Sequence, residues 1–248
     1  LSWVYYEMGT NFWWIAWIIM TAFSLFFATF YTTLILPLFN KLSPLEEGEL
    51  RSSIEKYALE VDFPLTNIFV IDGSKRSNKA NAFFSGLGKK KAIVLYDTLL
   101  EDNTVEELTA ILAHEVGHYK KNHIKQSMLL GILQTGVLFF VFGLLSKSEA
   151  LAGAFGVAEN SFYISLIGFS LLYSPISLLI GVLMNIFSRK NEFEADAFAS
   201  TTYDGVPLQS ALKKLSVNHL SNLTPNKNYV FVHYSHPPLV QRLEALQS

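Results

Sequence analysis

Apolar residues gather into three long runs, at roughly residues 12–38, 127–145 and 162–187, separated by stretches of mixed character. A helix needs about 20 apolar residues to cross the hydrocarbon of a bilayer, so each run reads as a transmembrane helix rather than a buried core helix. The first run carries no charge. All four tryptophans, Trp3, Trp13, Trp14 and Trp17, lie at its N-terminal end, as an interfacial aromatic anchor would. It has no basic leader and no small-residue cleavage pattern, and it is too long for a signal peptide.

The intervening segments follow other periods. Residues 39–62 carry a rough apolar stripe of Leu45, Leu50, Ile54, Tyr57, Ala58 and Val61, which predicts a helix. Residues 67–71, 80–85 and 91–96 are short β-branched or aromatic runs, read as strands of a small sheet. Asp72-Gly73-Ser74 ends the first strand and Gly86-Leu87-Gly88 joins the other two. Thr104 and Glu107 have capping-box spacing, and Asp102 and Glu106 add negative charge where a helix would start. No proline lies between that start and the second apolar run, so one continuous helix is expected through both.

Composition agrees with a chain partly solvated by lipid: 50% of residues are hydrophobic and 16% charged, against about 25% charged in an average soluble protein. A net charge of −2 offers no basic surface for nucleic acid, and none is expected as a partner. The absence of cysteine excludes disulfides, thiolate nucleophiles and cysteine-ligated zinc. Lysine and arginine fall 12 in residues 39–126, 1 in 146–161 and 6 in 188–248. Close to the apolar runs the contrast is Lys41, Lys120, Lys121, Lys125, Arg189 and Lys190 against Lys147. The positive-inside rule then places both polar regions on the cytoplasmic side, with 146–161 a short external loop. The expected division is a transmembrane segment over 1–38 and a polar domain over 39–248 containing the other two spans. The chain starts at Leu1 rather than a methionine and is read as a fragment, which leaves two alternatives: spans missing ahead of it, or an open site built with the three present.

The chemistry concentrates at His114-Glu115-Val116-Gly117-His118. Histidines four apart on a helix share a face, so one cation can bind both, and Glu115 lies beside it rather than opposite. There it can take a proton from an attacking water and return it to a leaving amine. With 6 histidines in 248 residues, chance supplies about 0.01 such motifs. Gly117 is a weak helix former, read as keeping the helix surface low where substrate passes. The motif points to one catalytic Zn2+ per chain, with a peptide or protein substrate.

Such a site needs a third protein ligand and one open position. The candidates are His123, His219, His233, His236 and a downstream carboxylate. Ile124 occupies the place of a metzincin third histidine and Lys121 that of its glycine, so His123 reads as a solvated surface residue. Glu192 is the better candidate. It lies about 5 residues after the third run and His118 about 9 before the second, which puts both roughly 8–14 Å beyond the membrane boundary. Asp196, four residues on, shares its face and could accept the outer N–H of a ligand histidine. Glu194 projects elsewhere and stands as the fallback ligand.

At these residues the chain resembles the type I CAAX prenyl endopeptidases, membrane zinc metalloproteases. The resemblance rests on Gly73-Ser74-Lys75-Arg76-Ser77 with Asn81-Ala82-Phe83-Phe84, on residues 93–100, on His114 to His118 with Tyr119 and His123, on Glu192-Phe193-Glu194-Ala195-Asp196, and on Ser235-His236-Pro237-Pro238. It covers roughly residues 37–246. It implies a mainly α membrane protein, with transmembrane helices plus a cytoplasmic zincin-like catalytic domain that has a small β-sheet. It also implies that Glu192 is the third ligand, that Asp196 and Arg242 support the ligands, that His236 stabilises the tetrahedral oxyanion, and that Asn81, Ala82 and Phe83 pair with the extended substrate. Full-length members have more spans than the three seen here. The implied activity is removal of the C-terminal tripeptide from a prenylated CAAX protein at a multi-pass membrane site. The alternatives are a heat-shock-type quality-control zinc protease and a non-catalytic zinc-stabilised scaffold.

Overall fold

The computed structural model describes residues 2–75, 81–85, 91–157 and 161–247. Arg76, Ser77, Ala80 and the Gly86-Leu87-Gly88 connection lie outside them. In chain order the elements are α1 (Ser2–Met8), α2 (Phe12–Phe30), α3 (Leu36–Phe39), β1 (Leu42–Pro44), α4 (Glu49–Glu60), β2 (Leu65–Ile71), β3 (Ala82–Ser85), β4 (Lys91–Tyr96), α5 (Asp97–Asp102), α6 (Val105–Lys120), α7 (His123–Leu145), α8 (Glu149–Ala154), α9 (Phe162–Thr202), α10 (Gly205–Asn218), α11 (Lys227–His233) and α12 (Leu239–Gln247). Among them α2, α7 and α9 are long and apolar enough to cross a membrane. The chain forms two compact units: Leu1–Ala28 with Lys125–Met184, and Thr29–Ile124 with Asn185–Ser248.

In the first unit Phe12, Ala16, Phe142, Phe162, Phe169 and Tyr173 form an aromatic core. Of the tryptophans, Trp3 and Trp14 are exposed. Trp13 and Trp17 instead pack on α7 at glycines. A β-carbon at Gly143 would meet Trp13 Cβ at 2.9 Å, and one at Gly136 would meet Trp17 Cε2 at 3.1 Å. Trp17 Nε1 also donates to the Ile132 carbonyl at 2.9 Å. Small residues that let a large ring approach are a common device in membrane helix packing. The stretch read as an external loop contains α8, which Ser148 caps by accepting from the Leu151 N–H at 3.2 Å.

The second unit is built on a four-stranded sheet in the order β1-β2-β4-β3. Strands β2 and β4 are parallel, with Ile68 opposite Ile93 and Val70 opposite Leu95. Strand β3 runs antiparallel to β4, with Ala82 opposite Leu95, and stands at the sheet edge. Alternation along β4 gives it two buried faces. Ile93 and Leu95 pack with Ile54, Leu99, Leu108 and Leu112, while Val94 packs with Leu36 and Ile71. The helix expected over 39–62 is shorter: residues 42–44 form β1, antiparallel to β2. Pro44 accounts for this, because it disfavours the helical region for Ser43.

Helix α6 lies at the centre of this unit. Its capping box is complete: Thr104 Oγ1 accepts from the Glu107 N–H at 3.3 Å, and Glu107 Oε2 accepts from the Thr104 N–H at 2.8 Å. Glu107 is buried, and its charge is met by Lys214 Nζ and Ser210 Oγ, each at 2.6 Å. Contrary to the sequence expectation, α6 does not continue into α7. It stops at Lys120, and Asn122 takes φ +60° before the chain resumes as α7. Asparagine is among the few residues that enter this left-handed region readily, so no proline is needed for the break.

Gly117 has a different role from the one the sequence suggested. A β-carbon there would lie 3.0 Å from Ala195 Cα, 3.1 Å from the Ala195 carbonyl oxygen and 3.2 Å from Phe198 Cβ. It permits close contact between α6 and the C-terminal part of α9. Gly117→Ala should therefore destabilise the fold by about 1–3 kcal/mol, although alanine is the better helix former. Unfolding in detergent, followed by circular dichroism, measures this.

Candidate active site

Helix periodicity puts His114 and His118 on one face of α6, and the close contact at Gly117 brings Glu192 of α9 opposite them. Among the described residues these three form a group with ligand atoms all within 4.8 Å of one another. His114 Nε2 lies 3.1 Å from His118 Nε2, and Glu192 lies 3.6 Å from the former and 3.5 Å from the latter. Three ligands of a tetrahedral zinc at about 2.05 Å would stand about 3.3 Å apart. The spacing fits that ion.

The outer contacts of His114 agree. Asp196 Oδ1 is 2.8 Å from His114 Nδ1. A carboxylate only accepts, so Nδ1 carries the hydrogen and a neutral ring keeps its Nε2 lone pair for the cleft. Asp196 is 1% exposed, yet its charge is answered. Arg242 Nε donates to Oδ2 at 2.8 Å and Nη2 to Oδ1 at 2.6 Å, a bidentate fork. Arg242 Nη1 also stands 3.4 Å from Glu192.

Glu115 lines the same cleft of about 160 Å³, together with Asn81, Ala82, His236 and Arg242. Burial pushes its carboxyl above the ordinary range, while the His114 and His118 rings pull it back. His236 Nδ1 is 3.1 Å from Glu192. That carboxylate raises the imidazole above its usual value, against the opposing effect of desolvation. The loop carrying His236 is tied to α9: Asn185 Nδ2 donates to the Val232 carbonyl at 2.7 Å, and Arg189 Nη1 to those of Val230 and Tyr234.

The structure thus gathers His114, Glu115, His118, Glu192, His236, Arg242, Asn81 and Ala82 around one cleft, with Asp196 behind His114. Phe83 is on the same strand and packs its ring against Tyr96, 6.4 Å between centroids. His219 and His233 are exposed and outside the group. Two readings need correction. His123 is 3% exposed, not a solvated surface residue. Glu194 is no spare ligand, because its Oε2 lies 3.0 Å from His123 Nε2. Nothing in the sequence marks Asn185, and Arg189 counted there only toward sidedness, since both act on backbone carbonyls, which leave no pattern. Replacing Arg242 with alanine would strand the buried Asp196 charge, at a cost of about 3–5 kcal/mol. Lysine should recover only part of that loss, lacking the planar fork. Denaturant unfolding of the two variants measures both.

Residues 44–248 match the family model of peptidase family M48, and residues 1–41 match that of the CAAX prenyl protease N-terminal region, described as five membrane helices. The chain is 42% identical over 232 residues to CAAX prenyl protease 1 homolog of Oryza sativa subsp. japonica, covering 93% of this chain and 55% of that protein. It is 38% identical over 260 residues to CAAX prenyl protease 1 of Saccharomyces cerevisiae, covering 98% of this chain and 57% of that protein. The crystal structure of S. mikatae Ste24p superposes with a TM-score of 0.88 at 38% identity, covering 99% of this chain and 60% of that one. The chain therefore spans between half and two thirds of the length of these relatives.

Proposed function

The chain belongs to peptidase family M48, and from that premise we propose that it is a membrane zinc endopeptidase that removes the C-terminal tripeptide of prenylated CAAX proteins. The observation that carries this reading is the placement of Glu115 in one cleft with the three donor atoms of His114, His118 and Glu192. A purely structural metal site has no use for a carboxylate that does not ligate. His114, His118 and Glu192 would hold the zinc, which when bound would supply Lewis-acid polarisation of the scissile carbonyl and a lowered pKa for the attacking water. Glu115 accepts that water's proton and delivers it to the leaving amine. His236, at the mouth of the cleft, donates to the oxyanion of the tetrahedral intermediate. At the outer edge of β3, Ala82 offers its backbone groups to an extended peptide, so binding is strand addition, while Asn81, whose carbonyl accepts from the Tyr96 N–H, and Phe83 flank that position. The names of the curated relatives support prenylated substrates, and the three apolar helices support a lipid-borne one. The distribution of lysine and arginine supports a cytoplasmic orientation of the site.

Cleavage of a farnesylated CAAX peptide and its unprenylated twin by the purified protein tests the reading. The farnesylated peptide should be cut preferentially, and equal cleavage would remove prenyl selectivity. Glu115→Ala should retain one zinc per chain by metal analysis and lose about 10²–10⁴ of the rate. Glu192→Ala should instead lose the metal, and full zinc occupancy in that variant would take Glu192 out of the ligand set.

A further inference from the structure

His123 is a buried imidazole with both ring nitrogens engaged, and the proposed reaction makes no use of it. Its Nδ1 lies 3.0 Å from His118 Nδ1, and its Nε2 lies 3.0 Å from Glu194 Oε2. Glu194 in turn has Lys190 Nζ at 3.6 Å from its other oxygen. The contact with His118 depends on the break after α6. On an unbroken helix, residues five apart point about 140° away from each other. The left-handed Asn122 turns the chain so that the two rings meet, their centroids 5.1 Å apart at 73°.

We propose that His123 is a positioning residue: with Glu194 it fixes the tautomer and orientation of His118 so that the Nε2 lone pair faces the metal. The argument follows hydrogen by hydrogen. A carboxylate can only accept, so His123 carries its hydrogen on Nε2 toward Glu194. Neutral His123 then has a lone pair on Nδ1. His118 must donate its own Nδ1–H to that lone pair, which leaves Nε2 of His118 bare beside His114 and Glu192. The opposite arrangement, with His123 donating from Nδ1, would put a hydrogen on His118 Nε2 and block the site. It would also set the His123 Nε2 lone pair against the Glu194 carboxylate. Each ligand histidine thus has its own outer partner, Asp196 for His114 and an imidazole backed by a carboxylate for His118. Such outer contacts commonly determine metal affinity.

This inference rests on the reading of His114, His118 and Glu192 as a zinc site, and its test separates the two. Zinc dissociation constants are measured by chelator competition on the purified chain and on three variants, His123→Leu, His123→Asn and Glu194→Ala. The absorption spectrum of each cobalt-substituted protein is recorded alongside. Leucine fills the space and accepts nothing, so zinc should bind about 10–100-fold more weakly and the cobalt bands should shift. Asparagine places Oδ1 where the imidazole has Nδ1 and can accept from His118, so it should bind zinc within a few-fold of the parent. Glu194→Ala frees His123 to take either tautomer and should weaken zinc less than leucine does. Should the leucine variant fail to fold, the asparagine and alanine variants still decide. Affinity lost in the asparagine variant, or unchanged in both Glu194→Ala and His123→Leu, overturns the relay. A parent chain that binds no zinc overturns the site itself.

Discussion

The closeness of α6 and α9 at Gly117 is the constraint on which the site depends. An ordinary van der Waals contact of a β-carbon is 3.4–4 Å. Here a β-carbon on α6 would lie only 3.0 Å from the backbone of α9. That approach carries Glu192 and Asp196 to within hydrogen-bonding or ligating distance of His114 and His118. A wider separation would leave two imidazoles on one helix and two carboxylates on another, with no common centre. The alanines at 110, 113, 195 and 199, all fully buried, belong to the same close packing.

Bringing these groups together concentrates charge away from water, and that is tolerable only because each charge has a partner. Asp196 is held by the Arg242 fork and by His114. Glu192 faces the imidazoles of His114, His118 and His236, and Arg242. Arg242 comes from α12, so that helix completes a site begun on α6. Among the described residues Glu115 has no such close partner, and burial raises its proton affinity against the pull of His114 and His118. A group in that condition suits proton transfer better than ion pairing.

Much of this was legible in the sequence, and what escaped has identifiable physical causes. The histidine pair and Glu115 could be placed because helical period converts spacing directly into a shared face. Strand β4 and the Thr104–Glu107 cap were readable for the same reason, each depending on local pattern. Glu192 followed from its short distance beyond an apolar run. His236, Arg242 and the β3 edge came through family resemblance rather than any local rule. The break at Asn122 escaped because one residue in a left-handed conformation leaves no periodic trace, and with it went the true environment of His123. The function of Gly117 was misread because its partner, Ala195, lies 78 positions away along the chain (195 minus 117). The packing of Trp13 and Trp17 likewise escaped, because the glycines facing them, Gly143 and Gly136, lie far along the chain.

The central claim is that two imidazoles and one carboxylate of this chain hold a single tetrahedral zinc. X-ray absorption at the zinc edge of the purified protein tests it directly. The account predicts four light-atom neighbours at about 2.0–2.1 Å, with the multiple-scattering signature of two imidazoles. A fit requiring three imidazoles, or six oxygen neighbours, would contradict it.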